Sequence, residues 1–252
     1  MVSVLDIPGA RLAVTPATRR VGESADYVVP SSQVGCITGA SGVGKSTALR
    51  QALDLRGTPS TWIDLPPVYT PKELIQWIYL DVVGDPEDFP QRDLQDDLVV
   101  ELAGSGRVVA IRHAERLTRE AAGQLEWLHS RSPGWAMYVV GLPAARARLA
   151  TEPHLMSAMV DAVEVRSLAT TELHAVLPKI HDLFTTADRE LIDRIDQSLD
   201  GNLELWVKFL HRALHIRDLA RQAGRPVPPL NVDLARATLP AIVGTRRPKE
   251  RT

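Results

Sequence analysis

The sequence predicts an α/β fold, with a three-layer core built on a parallel sheet over about residues 33–168 and a smaller helical region after it. Three observations carry this reading. Short apolar runs alternate with helix-length amphipathic segments up to about Ser167. A glycine-rich stretch lies between the first of those runs and the helix that follows it. Beyond Ser167 every periodic segment has helical spacing. Alternation of this kind places helices on both faces of a parallel sheet, because each strand-to-strand connection must cross over the sheet.

Residues 1–32 form an N-terminal segment punctuated by Pro8, Pro16 and Pro30, with a short helix expected around Thr18–Tyr27. Val34–Thr38 is an apolar strand that ends at glycine, and Lys45–Leu55 is a helix. Ser60–Leu65 reads as a second strand, closed by Pro66 and Pro67. Thr70 then caps a helix: Pro71 takes the first turn, Glu73 lies three residues beyond the cap, and Leu74, Trp77 and Ile78 share a face. Arg92–Gly104 is helical, with Leu94, Leu98 and Leu102 at helical spacing. Arg107–Ile111 is almost wholly apolar and suits a buried parallel strand. A helix over Thr118–Ser130 and a strand over Trp135–Gly141 complete the core pattern. Residues 169–240 form a helical domain, with helices over Thr170–Ile180, Thr186–Leu199, Leu203–Ala223 and Val232–Leu239 and a turn at Asp200-Gly201-Asn202. Residues 241–252 are a basic, flexible tail.

Composition narrows the function classes. In 252 residues, 29 Lys+Arg stand against 31 Asp+Glu, a net charge of −2, so a wholly basic nucleic-acid binder is excluded and any such contact needs a local patch. Hydrophobic residues at 44% and charged residues at 24% are ordinary for a globular chain. With only 5% aromatics, aliphatic side chains must fill the core, and Trp62, Trp77, Trp127, Trp135 and Trp206 fall on apolar faces and read as part of it. The single cysteine, Cys36, excludes an intramolecular disulfide and a multi-cysteine zinc site, and reads as a buried small residue. No apolar run approaches the roughly 20 residues that cross a bilayer, and the N-terminus lacks a signal-peptide pattern, so a cytoplasmic protein is expected.

The strongest chemical signal is Gly39-Ala40-Ser41-Gly42-Val43-Gly44-Lys45-Ser46, a full match to the phosphate-binding loop G-x-x-x-x-G-K-[ST]. Glycines let the backbone curl so that successive N–H groups point at phosphate oxygens, and the following helix N-terminus adds partial positive charge. Gly39, Ser41, Gly42, Val43, Gly44, Lys45, Ser46 and Thr47 are therefore the candidate nucleotide-binding residues, with Lys45 the cation for the outer phosphates and Ser46 the ligand of Mg²⁺. By residue usage alone the four fixed positions match in roughly one chain of this length per hundred, and here the match also lies between a strand and a helix. ATP and Mg²⁺ are the expected cofactors.

The partner motif is altered. A P-loop NTPase usually carries an apolar strand ending in an acid for the metal, often with a Glu after it to polarise water. After Arg107–Ile111 the chain instead has Arg112 and His113. Three readings are open: hydrolysis is lost or slow; Asp64, Glu115 or a partner subunit supplies the acid; or the strand assignment is wrong. Glu115 lies two residues beyond the expected base, and Asp64 ends the second predicted strand.

Four segments, ITGASGVGKSTALR, TWIDLPPVYTPKELIQWIYLDVVG, VVAIRHAERLTREAAGQLEWLH and WAMYVVGLPAARARL, follow an order that resembles a known family. It is that of the small AAA+ ATPases of bacterial transposons and phages, of the Mu B-protein and TniB type, which select DNA targets. In the third segment Ala114, Arg116 and Leu117 keep the family's frame while Arg112 and His113 replace its Asp-Glu. Gly141 falls at or near the sensor position, where a polar residue is common, and Glu204 stands where related proteins often have an Arg. The resemblance spans about residues 15–215. It implies a helical AAA+ lid after the P-loop core, ATP-dependent homo-oligomers or filaments around duplex DNA, and a transposase or other mobile-element protein as partner. It also implies an arginine that reaches a neighbour's γ-phosphate, for which Arg146, Arg148 and Arg166 are candidates. Weak catalytic candidates are thus Glu115, Asp64 and Arg148. Lys72 is a candidate DNA contact, as are the arginines around Arg217, Arg221 and Arg225 and the tail Arg246-Arg247-Lys249-Arg251, through phosphate rather than base contacts.

Three functions fit these residues: an ATP-binding regulator of DNA transposition or a mobile element, with weak or absent hydrolysis; a nucleotide-switched signalling or scaffold ATPase that binds only proteins; and a small-molecule kinase. No acceptor-binding lid between the strands favours the third.

Overall fold

The computed structural model describes residues 4–86 and 90–243. The described residues divide into two compact units, one within residues 16–41 and 45–165 and the other within residues 1–15, 42–44 and 166–252.

In the first unit the expected elements form at nearly the expected residues: β1 (Val34–Thr38), α2 (Lys45–Leu55), β2 (Ser60–Asp64), α3 (Pro71–Val82), α4 (Gln91–Leu102), β3 (Val108–Arg112), α5 (Arg119–Arg131) and β4 (Ala136–Gly141). The helix expected at Thr18–Tyr27 is longer; α1 runs Pro16–Ser31 and buries Ala17, Val21, Ser24, Ala25 and Val28. Two short helices, α6 (Ala144–Leu149) and α7 (Pro153–Ala158), lead to β5 (Met159–Glu164), a strand the sequence pattern does not announce. Its residues, MVDAVE, alternate between half-buried and exposed, as on a sheet edge, and the two acids break the apolar run that identifies the other strands.

Among the described residues the strands form one sheet in the order β2-β3-β4-β1-β5. Every pairing is parallel. One face is covered by α3, α4, α5, α6 and α7, whose Leu74, Leu94, Leu125 and Leu149 pack with Cys36, Val109, Ile111 and Val139. The other face is reached by α1, where Ser24 and Tyr138 of β4 share a buried hydrogen bond of 2.9 Å. Gly35 makes this possible, since a Cβ there would lie 2.4 Å from the Tyr138 ring. The Thr70 capping box forms as expected: Thr70 N–H donates to Glu73 and Glu73 N–H to the Thr70 hydroxyl. Of the tryptophans expected in the core, Trp135 and Trp206 are buried. Trp62, Trp77 and Trp127 are only partly covered, and the guanidinium groups of Arg50 and Arg131 lie over the rings of Trp62 and Trp127.

The second unit is helical: α8 (Thr170–Ile180), α9 (Arg189–Leu199), α10 (Leu203–Gln222), α11 (Val232–Thr238) and α12 (Pro240–Val243). Its core gathers Leu173, Leu177, Ile195, Leu199, Trp206 and Phe209. The N-terminal residues belong with it: Ile7 joins that core, Arg11 N–H donates to the Ile180 carbonyl at 2.8 Å, and the Arg11 side chain pairs with Asp182. No described helix is long and apolar enough to cross a membrane.

Candidate functional site

Parallel strands bring their carboxyl ends to one edge of the sheet, and the glycine loop leaves β1 at that edge. The loop's curl is visible in the backbone, where Gly39, Gly42 and Gly44 have φ of 151°, 80° and 93°, values that side-chain-bearing residues rarely adopt. Val43 is buried, Ser41 and Thr47 are exposed, and Ser46 is partly buried in the first turn of α2. The Lys45 ammonium donates to the carbonyls of Gly39 at 2.9 Å and Ala40 at 2.6 Å, so its side chain folds over the mouth of the loop. Burial lowers the Lys45 pKa, and the negative charge of Glu115 acts against that shift. Such a cradle can hold a run of phosphates, with a lysine above it and a hydroxyl at the helix start for a cation.

The strand end beside it is where structure and sequence together decide the chemistry. β3 ends at Arg112, as the motif frame requires, but its guanidinium makes an ion pair with Asp64, with Nε 3.1 Å from Oδ1 and Nη1 3.2 Å from Oδ2. Asp64 and Arg112 are register partners on β2 and β3. Asp64, one of the acids weighed as a substitute, is thereby neutralised on the side of the sheet away from β1. His113 adopts the left-handed region, φ 56° and ψ 37°, which turns the chain into the 3-10 turn Ala114–Arg116.

That turn returns an acid to the sheet edge. Glu115 Oε2 accepts the Leu142 N–H at 2.9 Å, just past the end of β4. Gly141 leaves the room, because a Cβ there would lie 2.6 Å from Oε2. The other oxygen, Oε1, is 3.7 Å from His113 Nδ1. Burial alone raises the Glu115 pKa, but the Leu142 N–H, a backbone N–H of its own residue and the charges of His113 and Arg116 bring it below the ordinary value. The turn is tied to the β2–α3 loop: Arg116 donates to the Leu65 carbonyl at 2.6 Å, and the Tyr69 hydroxyl donates to the Arg116 carbonyl and accepts the Thr118 N–H, both at 3.3 Å. Nothing local in the sequence signals these partners, since Glu115 and Leu142 are 27 residues apart.

Of the other candidates, Glu204 meets the phosphate loop itself, its N–H donating to the Gly42 carbonyl at 2.9 Å. Arg146 and Arg148 are exposed on α6. The charge of Arg146 reaches Cys36, whose thiol burial pushes up to about 11. Lys72 is exposed in the first turn of α3. In the helical unit Glu204 pairs with Lys208 at 2.6 Å. Arg221 pairs with Asp218 at 3.0 Å, Arg217 is partly buried and Arg225 is exposed. The tail arginines and Lys249 lie outside the described residues.

A parallel sheet of this strand order, a glycine loop after β1 and a following helical region define a P-loop AAA+ fold. Residues 30–149 match the family model described as an AAA domain. The chain is similar to the Aeropyrum pernix ORC2 protein, solved with ADPNP and ADP, at 16% identity and a TM-score of 0.67, over 94% of this chain and 70% of that one. It is also similar to Cdc6p from Pyrobaculum aerophilum, at 15% identity and a TM-score of 0.65, over 87% of this chain and 66% of that one. A third similarity is to the Thermotoga maritima RuvB Holliday junction branch migration motor, at 15% identity and a TM-score of 0.58, over 88% and 68%. At such identities the likeness is one of fold. No curated protein matches the sequence significantly.

Proposed function

We propose that this chain is an ATP-binding AAA+ regulator that assembles on duplex DNA in a nucleotide-dependent way, serves DNA transposition or another mobile-element process, and turns ATP over slowly. The observation that carries the nucleotide part is the complete loop from Gly39 to Ser46, with three glycines at positive φ and Lys45 over its mouth. Slow turnover rests on the strand end: Arg112 is committed to Asp64, and His113 stands where a water-polarising acid is expected. Ser46, a hydroxyl at the start of α2, fits a hard divalent cation such as Mg²⁺ by its donor chemistry. When bound, that cation neutralises charge on the outer phosphates.

The DNA part is supported by the kind of proteins that share the fold, among them a RuvB named as a Holliday junction branch migration motor. The mobile-element part, with a transposase or similar protein as partner, rests on the resemblance of the four sequence segments to the Mu B-protein and TniB type. One observation favours the alternative, a nucleotide-switched scaffold that binds only proteins. Net charge is −2, so long-range attraction to DNA is weak, and of the C-terminal arginines Arg221 is already paired and Arg217 is partly buried. Electron microscopy of the protein with ATP, with and without duplex DNA, tests the proposal. Filaments or rings that need both ATP and DNA are expected, and Lys45→Ala should abolish them. Assembly with ATP that ignores DNA would favour the scaffold reading.

A further inference from the structure

At the carboxyl edge of the sheet stand two acids, Asp64 and Glu115, and the structure sends them in opposite directions. Asp64 sits on β2, two strands beyond β4 and three from the loop strand β1, and both its oxygens face the Arg112 guanidinium. Glu115 sits after β3 in sequence, yet its carboxylate is placed against β4, the neighbour of β1. The residue it packs on, Gly141, is the register partner of Thr38, which immediately precedes Gly39 of the loop. Thus a carboxylate stands one strand from the root of the phosphate loop although the strand-end position itself holds Arg112. Three local features produce this placement. His113 takes a left-handed conformation, the 3-10 turn swings residue 115 back over the sheet edge, and Gly141 has no side chain to block it. One oxygen, Oε2, is held by the Leu142 N–H, which fixes the carboxylate's orientation.

We propose that Glu115 replaces the missing strand-end acid as the carboxylate that orders the divalent cation's water shell beside the phosphate loop, while Ser46 provides the direct hydroxyl ligand. The inference deepens the nucleotide-site reading and rests on it. It separates two functions that an Asp-Glu pair normally shares: the cation keeps its acid, while the attacking water lacks its base. Such a site holds the Mg²⁺ complex of ATP well and hydrolyses it slowly.

The test measures cation binding rather than turnover. Mn²⁺ is titrated by electron paramagnetic resonance into protein saturated with ADPNP, for the wild type, Glu115→Gln and Asp64→Asn. Glu115→Gln keeps an acceptor for the Leu142 N–H but removes the charge, so it should weaken Mn²⁺ binding by about 10–100-fold, the usual range for loss of an outer-shell partner. ADPNP affinity in EDTA should stay the same, and Asp64→Asn should bind Mn²⁺ like the wild type. Should Glu115→Gln fail to fold, Glu115→Asp, which withdraws the carboxylate by one methylene, should show the same loss of Mn²⁺ affinity. Unchanged Mn²⁺ affinity in the folded variant, or an equal loss in Asp64→Asn, overturns the assignment of Glu115 while leaving the nucleotide site standing. A wild type that binds no ADPNP even in EDTA overturns the nucleotide-site reading, and this inference with it.

Discussion

At the scale of single residues, the proposed chemistry turns on positions 112, 113 and 115. Replacing Arg112 by Asp would restore the motif on paper, but it would set two carboxylates directly opposite on neighbouring strands, since Asp64 and Arg112 are register partners. His113→Glu leaves the Arg112–Asp64 pair intact, although it too brings a second carboxylate toward an acid, Glu115, whose Oε1 lies 3.7 Å from His113 Nδ1. On the proposed reading, phosphate release at saturating Mg-ATP is slow in the wild type, and His113→Glu raises it by about 10²-fold or more, the contribution expected of a positioned proton acceptor. Colorimetric phosphate assays with and without duplex DNA measure this. Brisk turnover by the wild type that Lys45→Ala abolishes would overturn it. Part of this was legible in the sequence, which shows the full loop and the absent acids. The sequence left Asp64 and Glu115 equivalent as substitutes, because the Arg112 pair and the Leu142 N–H that separate them are tertiary contacts.

At the scale of elements, the junction of α9 and α10 shows how much one buried carboxylate can organise. Asp200 and Gly201 both have positive φ, 52° and 63°, and a Cβ at Gly201 would lie 2.1 Å from the Leu168 carbonyl oxygen. Asp196, 9% exposed, accepts the Gly201 N–H at 2.8 Å and the Trp206 indole N–H at 3.0 Å, and Asn202 then caps α10 by accepting the Leu205 N–H at 3.2 Å. Asp196→Ala strands two buried donors and should cost about 1–3 kcal/mol. Urea unfolding followed by Trp fluorescence measures it, and an unchanged midpoint would show that the junction holds without the carboxylate. Elements with strong local signals form where the sequence places them: β1, α2 and α8 agree to the residue, and the Thr70 box and the Asp200-Gly201-Asn202 turn appear as read. Strand β5 escaped because an edge strand is only half covered, so its alternation carries acids and lacks an apolar run.

For the molecule as a whole, net charge and its distribution set the terms of any DNA contact. With a charge of −2, long-range attraction to DNA is weak, and binding must come from a few Lys and Arg side chains such as Lys72 and Arg225, both exposed. If the assembly holds duplex DNA through phosphates, affinity falls with salt at a log–log slope of about −0.9 per contact and varies little with sequence. Fluorescence anisotropy with labelled duplexes of unrelated sequence, at several salt concentrations and with ATP present, should give a slope steeper than about −3 and similar affinities. A flat salt dependence, or no binding at any ionic strength, removes the DNA-binding part of the proposal.

The sequence by itself determined the class of the fold and the phosphate loop, because both rest on short-range chemistry: apolar strand runs, helical periodicity, caps, and glycines where the backbone must curl. It also exposed the loss of the strand-end acids, a matter of which residues follow one apolar run. Only the tertiary structure decided that Arg112 belongs to Asp64, that Glu115 reaches Gly141 and Leu142, and that residues 4–15 fold with the C-terminal helices. Each of these joins segments far apart in the chain, up to 171 residues in the pairing of Arg11 with Asp182. No local pattern encodes such partners. They follow from which strand lies beside which, and from the turn at His113 that carries a distant carboxylate back to the loop strand's neighbour.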